Sequence, residues 1–117
     1  MREETIRIAR ELLFWQVYIR SRRTSETVTL HDLVPYKKLC ERAGMPDAYR
    51  IVGEYLGELA TWCKDNNLPP LNCLAVNGET LIPGIGYDSA DGCSYETWWK
   101  DVQKCVDCMY PERILEP

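Results

Sequence analysis

A chain of 117 residues, 45% hydrophobic and 27% charged, has the balance of one ordinary globular domain, and no apolar run nears the roughly 18 residues that span a bilayer. Eighteen Asp and Glu against 14 Lys and Arg give a net charge of -4, which excludes indiscriminate adhesion to phosphate backbones and leaves nucleic-acid binding to a local basic patch. The opening MREETIRIAR mixes acids with bases and lacks a small-residue cleavage site, so the expectation is a cytoplasmic protein whose six cysteines stay free thiols.

In chain order, residues 3–20 read as a helix: Ile8, Leu12, Trp15 and Ile19 recur at helical spacing, with Ala9, Leu13 and Tyr18 widening the stripe. Glu3 and Glu4 open it and Arg20, Arg22 and Arg23 close it, each sign matching the helix dipole. A polar loop follows. Thr27-Val28-Thr29-Leu30 is β-branched and predicts a short edge strand, ended by His31-Asp32. His31 has no serine or cysteine arranged beside it and reads as a turn residue.

Pro35 suits the first turn of a short helix over 36–43, with Leu39 and Cys40 inward and Lys37, Lys38, Glu41 and Arg42 outward. Gly44 stands where a left-handed residue ends a helix. After Met45-Pro46, Asp47 is placed to cap a second helix to about Cys63, whose apolar face is Ala48, Val52, Tyr55, Leu59 and Trp62. Its wet face carries Asp47, Arg50, Glu54, Glu58, Thr61 and Asp65. Gly53 and Gly57 weaken that helix by roughly 1 kcal/mol each and predict close approach of another backbone, that of the first helix.

Leu68-Pro69-Pro70 forces an extended stretch. A strand over 71–76, the dipeptide Asn77-Gly78 and a return through Thr80-Leu81-Ile82 predict a β-hairpin, which leaves the sheet through Pro83 to Tyr87. Gly84-Ile85-Gly86 lacks the third glycine and the following helix of a phosphate cradle. Ser94 or Tyr95 begins a last helix to Tyr110, with Trp98, Trp99, Val102, Cys105, Val106 and Met109 along one side and Pro111 as its stop. Of Trp98 and Trp99, one faces the core and the other is half-exposed. Ile114-Leu115 docks back.

Cys105 and Cys108 form a C-x2-C pair without a second pair at ligand spacing, so no metal and no cofactor are expected. Glu54 and Glu58 read as solvated carboxylates rather than an acid–base pair, so the expectation is a protein without catalytic residues.

Pro35-Tyr36-Lys37-Lys38-Leu39, Ala43-Gly44-Met45-Pro46 and Ala48-Tyr49-Arg50-Ile51-Val52-Gly53 together make a pattern that resembles the winged-helix domain of the O6-alkylguanine-DNA alkyltransferases and the alkyltransferase-like proteins. The resemblance covers about the middle half of the chain. It implies that Tyr36 aids nucleotide rotation and that Arg50 enters the base stack. Where the family keeps Pro-Cys-His-Arg, this chain has Pro69-Pro70-Leu71-Asn72-Cys73, without the histidine that activates the thiolate.

The fold expected is therefore α+β: one domain over 1–117, with an N-terminal helix and loop over 1–26, a winged helix-turn-helix-like core with a β-hairpin wing over 34–86, and a C-terminal helix over 94–110. The function expected is non-catalytic binding of DNA or of a nucleic-acid-processing protein through Tyr36, Arg50, Asn77 and Gly78, with no membrane and no small-molecule site. The alternative is an acidic inhibitor encoded by a phage or mobile element, of the anti-CRISPR kind. In that case Asp47, Glu54, Glu58 and Asp65 would imitate phosphates and block a nucleic-acid-binding protein.

Overall fold

The computed structural model describes residues 1–22, 28–84, 87 and 94–117. Among the described residues there are four α-helices and one two-stranded parallel sheet, which packs on helix α2 (Tyr36–Arg42), an α+β arrangement. Helix α1 (Glu3–Arg22) buries Ile8, Leu12 and Ile19 and touches all of the other helices. Glu3 and Glu4 stand in its first turn and Arg20 and Arg22 in its last, as the sequence predicts, while Arg23 lies outside the described residues. Gln16, a polar residue in the middle of that helix, is also buried. Its amide donates to the carbonyls of Cys105 at 2.9 Å and Cys108 at 2.5 Å, satisfying orphan groups at the C-terminal end of α4 (Tyr95–Asp107).

Strand β1 (Val34–Pro35) leads directly into helix α2 (Tyr36–Arg42). Gly44, at φ +77°, ends α2: its amide donates to Glu41 and that of Met45 to Cys40, which closes the turn with a left-handed residue at its hinge. The predicted second helix is broken. Pro46–Arg50 forms a 3-10 turn, and helix α3 (Val52–Asp65) starts only after Ile51, so Asp47 does not cap it. Val52, Tyr55, Leu56, Leu59 and Cys63 form its core face. Asn67, at φ +57°, closes α3 as Gly44 closes α2, with Leu68 N–H donating to the Cys63 carbonyl at 2.9 Å.

The strand structure departs most from expectation. Leu71–Leu74 is a fully buried 3-10 turn, and only Ala75–Val76 is a strand, β2. Six consecutive buried residues carry no alternation from which a strand and a turn can be told apart. β2 pairs in parallel with β1, Val34 opposite Ala75 and Pro35 opposite Val76, instead of with a returning hairpin strand. Asn77 explains why. Its side-chain carbonyl accepts from the amides of Glu79 at 2.8 Å and Thr80 at 3.3 Å, and its backbone N–H donates to Ile82. The side chain thus builds a wider turn than a two-residue hairpin loop, and residues 80–82 form no strand.

The edge strand predicted at 27–30 is also replaced, with Thr27 outside the described residues. The Asp32 carboxylate accepts from the Thr29 amide and hydroxyl and folds Leu30–Asp32 into a 3-10 turn.

Ser94 caps α4 through reciprocal bonds with Thr97, and α4 ends at Asp107, three residues short of Tyr110. Trp98 is buried and Trp99 half-buried, the division expected of adjacent helical positions. Met109, past the helix end, is exposed rather than on the apolar side. Ile114 is buried in a C-terminal 3-10 turn, so the tail docks back. No described helix is long and apolar enough to cross a membrane.

Candidate functional site

Successive residues of an α-helix are about 100° apart, so α3 divides into three strips. The first is the core face. The second, centred on Glu54, Glu58 and Asp65, is acidic. The third holds Gly53, Gly57, Ala60 and Lys64 and forms one side of an open cavity of about 900 Å³. The second and third strips lie roughly 100° apart around the helix.

The glycines of the third strip are both exposed, and a Cβ added at either would meet nothing within 4 Å. No backbone approaches them, contrary to expectation; they keep the cavity open instead. Each costs α3 roughly 1 kcal/mol of helix stability relative to alanine, with no packing in return inside the molecule.

Tyr36 and Arg50 line the same cavity, together with Tyr49, Tyr87, Lys64 and Asn72. Tyr36 is held from the far side: its hydroxyl accepts from the Gly84 amide at 2.6 Å. Burial pushes its pKa up, opposed by that hydrogen bond. Tyr49 and Arg50 stand at the edge of the cavity as an exposed pair, with Arg50 Nε donating to the Tyr49 hydroxyl at 3.2 Å and the guanidinium 5.7 Å from the ring centroid. The hydrogen bond and the positive charge of Arg50 together lower the Tyr49 pKa.

Asn72 is the least expected member. Only 7% of it is exposed, and its side-chain oxygen has no hydrogen-bond partner among the described residues. A buried acceptor left this way costs about 1–3 kcal/mol unless something donates to it. Asn72 is a lining residue of the cavity, although the oxygen itself lies beneath the cavity surface.

Among the described residues, no carboxylate lines the cavity, and its charged members are Arg50 and Lys64. The acids offered by the sequence as a phosphate-imitating surface lie elsewhere. Glu58 accepts from the Arg2 amide at 2.6 Å and from Arg2 Nε at 3.0 Å, and the amide bond is the main cause of its lowered pKa. Glu54 lies 3.9 Å from the same guanidinium. Asp47 and Asp65 are exposed, away from the cavity lining. Asn77 and Gly78 are not brought to the cavity either; Gly78 sits against Pro35.

Behind α3, the thiols are packing elements. Cys63, Cys73 and Cys105 are fully buried. Burial pushes the Cys63 thiol up to about 11 and holds Cys73 well above its ordinary value. The Tyr110 hydroxyl donates to the Pro69 carbonyl at 2.7 Å and lies 3.3 Å from Cys105 Sγ, while Trp98 Nε1 donates to the Cys73 carbonyl at 3.0 Å. High-pKa thiols without solvent access are poor nucleophiles. Among the described residues, no group of three His, Cys, Asp or Glu is placed to hold a metal ion. Cys93 lies outside the described residues.

In comparisons with known proteins, no family model, no curated protein and no solved structure matches the chain.

Proposed function

We propose that this protein is a non-catalytic binding module with a winged-helix-like centre, and that it takes unpaired nucleic acid into the cavity beside α3. The observation that carries this reading is the meeting of Tyr36, Tyr49 and Tyr87 with Arg50 and Lys64 around one cavity free of carboxylates among the described residues. Stacking rings and phosphate-seeking cations are what binding of single strands needs. A cavity of about 900 Å³ is within the size range of ordinary ligand sites.

The shape argues against a duplex reader. A recognition helix must project into the major groove, whereas the strip of α3 that bears Gly53 and Gly57 lies along a concavity. The ligand must enter the protein, which favours an unstacked nucleotide over a base-paired one. The phosphate-imitating inhibitor is the weaker reading, because Glu54 and Glu58 are already engaged with Arg2.

Titration of a fluorescein-labelled single-stranded oligonucleotide, followed by anisotropy, tests the proposal. Binding at low salt that weakens as salt rises, exceeds binding of the matching duplex and drops about tenfold on Arg50→Ala or Lys64→Ala is the expected result. Equal affinity for duplex, or no binding at low salt, would overturn it.

A further inference from the structure

Helices α1 and α2 lie side by side, and rings and cations share the seam between them. Phe14 and Tyr18 of α1 are 54% and 40% exposed. Trp15 is half-buried, its ring edge-on to that of Tyr18 with the centroids 5.6 Å apart. From α2, Lys38 Nζ lies 5.4 Å from the Trp15 ring centroid and the Arg42 guanidinium 5.1 Å from that of Phe14. At the end of α1, the Arg22 guanidinium lies 5.5 Å from the Tyr18 centroid. Each contact holds a long cationic side chain beside a ring, so the seam presents aromatic surface and positive charge together.

Helix α2 joins this seam to the cavity. Tyr36, its first residue, lines the cavity. Lys37 is close enough to act on Tyr49 at the cavity edge, adding to the larger effect of Arg50 in lowering the Tyr49 pKa. Lys37 and Lys38 stand about 100° apart around α2, so one leans towards Tyr49 and the other towards Trp15. A strand passing from one to the other crosses a single helix, about 10 Å wide. Along this path Arg22, Lys37, Lys38 and Arg42 outnumber Glu11 and Glu41, and Glu11 is ion-paired with Arg42 at 3.3 Å. The path is therefore positive in a chain whose net charge is -4. We propose that a single strand seated in the cavity leaves it past Tyr49 and Lys37, crosses α2 at Lys38 and continues along the α1–α2 seam, with bases on Phe14 and Tyr18 and phosphates on Lys38 and Arg22. This route rests on the binding of a strand in the cavity, to which it adds a second contact region. The mixture of rings and cations selects the occupant. A nucleic-acid strand supplies a base and a phosphate at each step, whereas an acidic peptide would use the cations and leave the exposed rings bare.

Anisotropy titrations at about 0.1 M salt with labelled oligothymidylates of about four and about twelve nucleotides separate the two regions, since only the longer strand spans both. Phe14→Ala with Tyr18→Ala, and separately Arg22→Gln with Lys38→Gln, change exposed side chains. Each pair should weaken binding of the longer strand about tenfold, with binding of the shorter strand and the helical circular dichroism unchanged. Arg50→Ala should weaken both lengths. Equal losses for the two lengths in the seam variants, or no loss for either, overturn the route. A longer strand weakened by the seam variants, with both lengths indifferent to Arg50→Ala, supports the seam and overturns the cavity reading instead. Failure of both lengths to bind overturns both. A glutamate peptide of equal charge that binds the seam as tightly as the longer strand overturns the assignment to nucleic acid.

Discussion

The two sides of α3 follow opposite rules. On the side facing α1 and α4, Leu59, Cys63, Cys73 and Cys105 are fully buried, with Trp98 donating to the Cys73 carbonyl and Tyr110 to that of Pro69. On the other side, Gly53 and Gly57 leave open space. The first side converts residues into stability. The second gives up stability through its helix glycines and, among the described residues, leaves the Asn72 acceptor unmet. Places where a fold forgoes available packing are where a binding role is to be sought.

The sharpest contrast comes from truncating the packed side. Leu59→Ala should cost about 2–5 kcal/mol in denaturant unfolding, because a fully buried leucine leaves a cavity that its neighbours fill only in part. Its effect on oligonucleotide affinity, measured well below the unfolding midpoint, should be small. A large affinity loss without a stability loss would dissolve the distinction between the two sides.

Next in size is a pH effect confined to the packed side. Burial raises the Cys63 thiol to about 11, so the folded state holds its proton through a range in which the unfolded chain, near the ordinary value of 9.0, has released it. The unfolded state then binds fewer protons, and stability falls as pH rises. The contribution is intact below about 9 and lost progressively towards 11, by roughly 2–3 kcal/mol for two pH units of separation. Cys73 is shifted in the same direction, also by burial, and adds to the loss. Cys63→Ala should flatten that limb of the stability–pH curve.

The open side predicts gains instead. Gly53→Ala and Gly57→Ala should each stabilise the protein by about 0.5–1 kcal/mol, since no atom lies within 4 Å of the new methyl group. Both should weaken single-strand binding, by about tenfold for the pair of substitutions, as methyl groups fill the cavity. A stability gain with affinity untouched would show that the ligand does not approach α3. Smallest is Glu58→Gln, which removes an exposed ion pair with Arg2: stability should fall by less than about 1 kcal/mol and oligonucleotide binding should not change.

The helices were legible in the sequence because their signals are local. Apolar spacing, the capping Ser94 and the left-handed Gly44 each act within a turn or two of chain. The strand pairing was not legible, because β1 and β2 are two-residue segments joined only through tertiary contact, and because Asn77 uses its side chain where a hairpin turn was expected. Gln16 gave no signal either: a glutamine within a helical stripe reads as surface, and its partners stand some 90 residues downstream. The cavity was half legible. Tyr36 and Arg50 could be singled out, but Gly53 and Gly57 read as a close approach of the first helix rather than as the wall of a cavity. Asn72 only becomes notable once its burial is known.

The most direct measurement is an NMR titration of the isotopically labelled protein with a short single-stranded oligonucleotide. Binding in the cavity predicts that the backbone amides of Arg50, Gly53, Gly57 and Lys64 and the side-chain amide of Asn72 move together and saturate with one dissociation constant. Shifts confined to the acidic strip around Glu54 and Asp65, or to the outward face of α1, would contradict it.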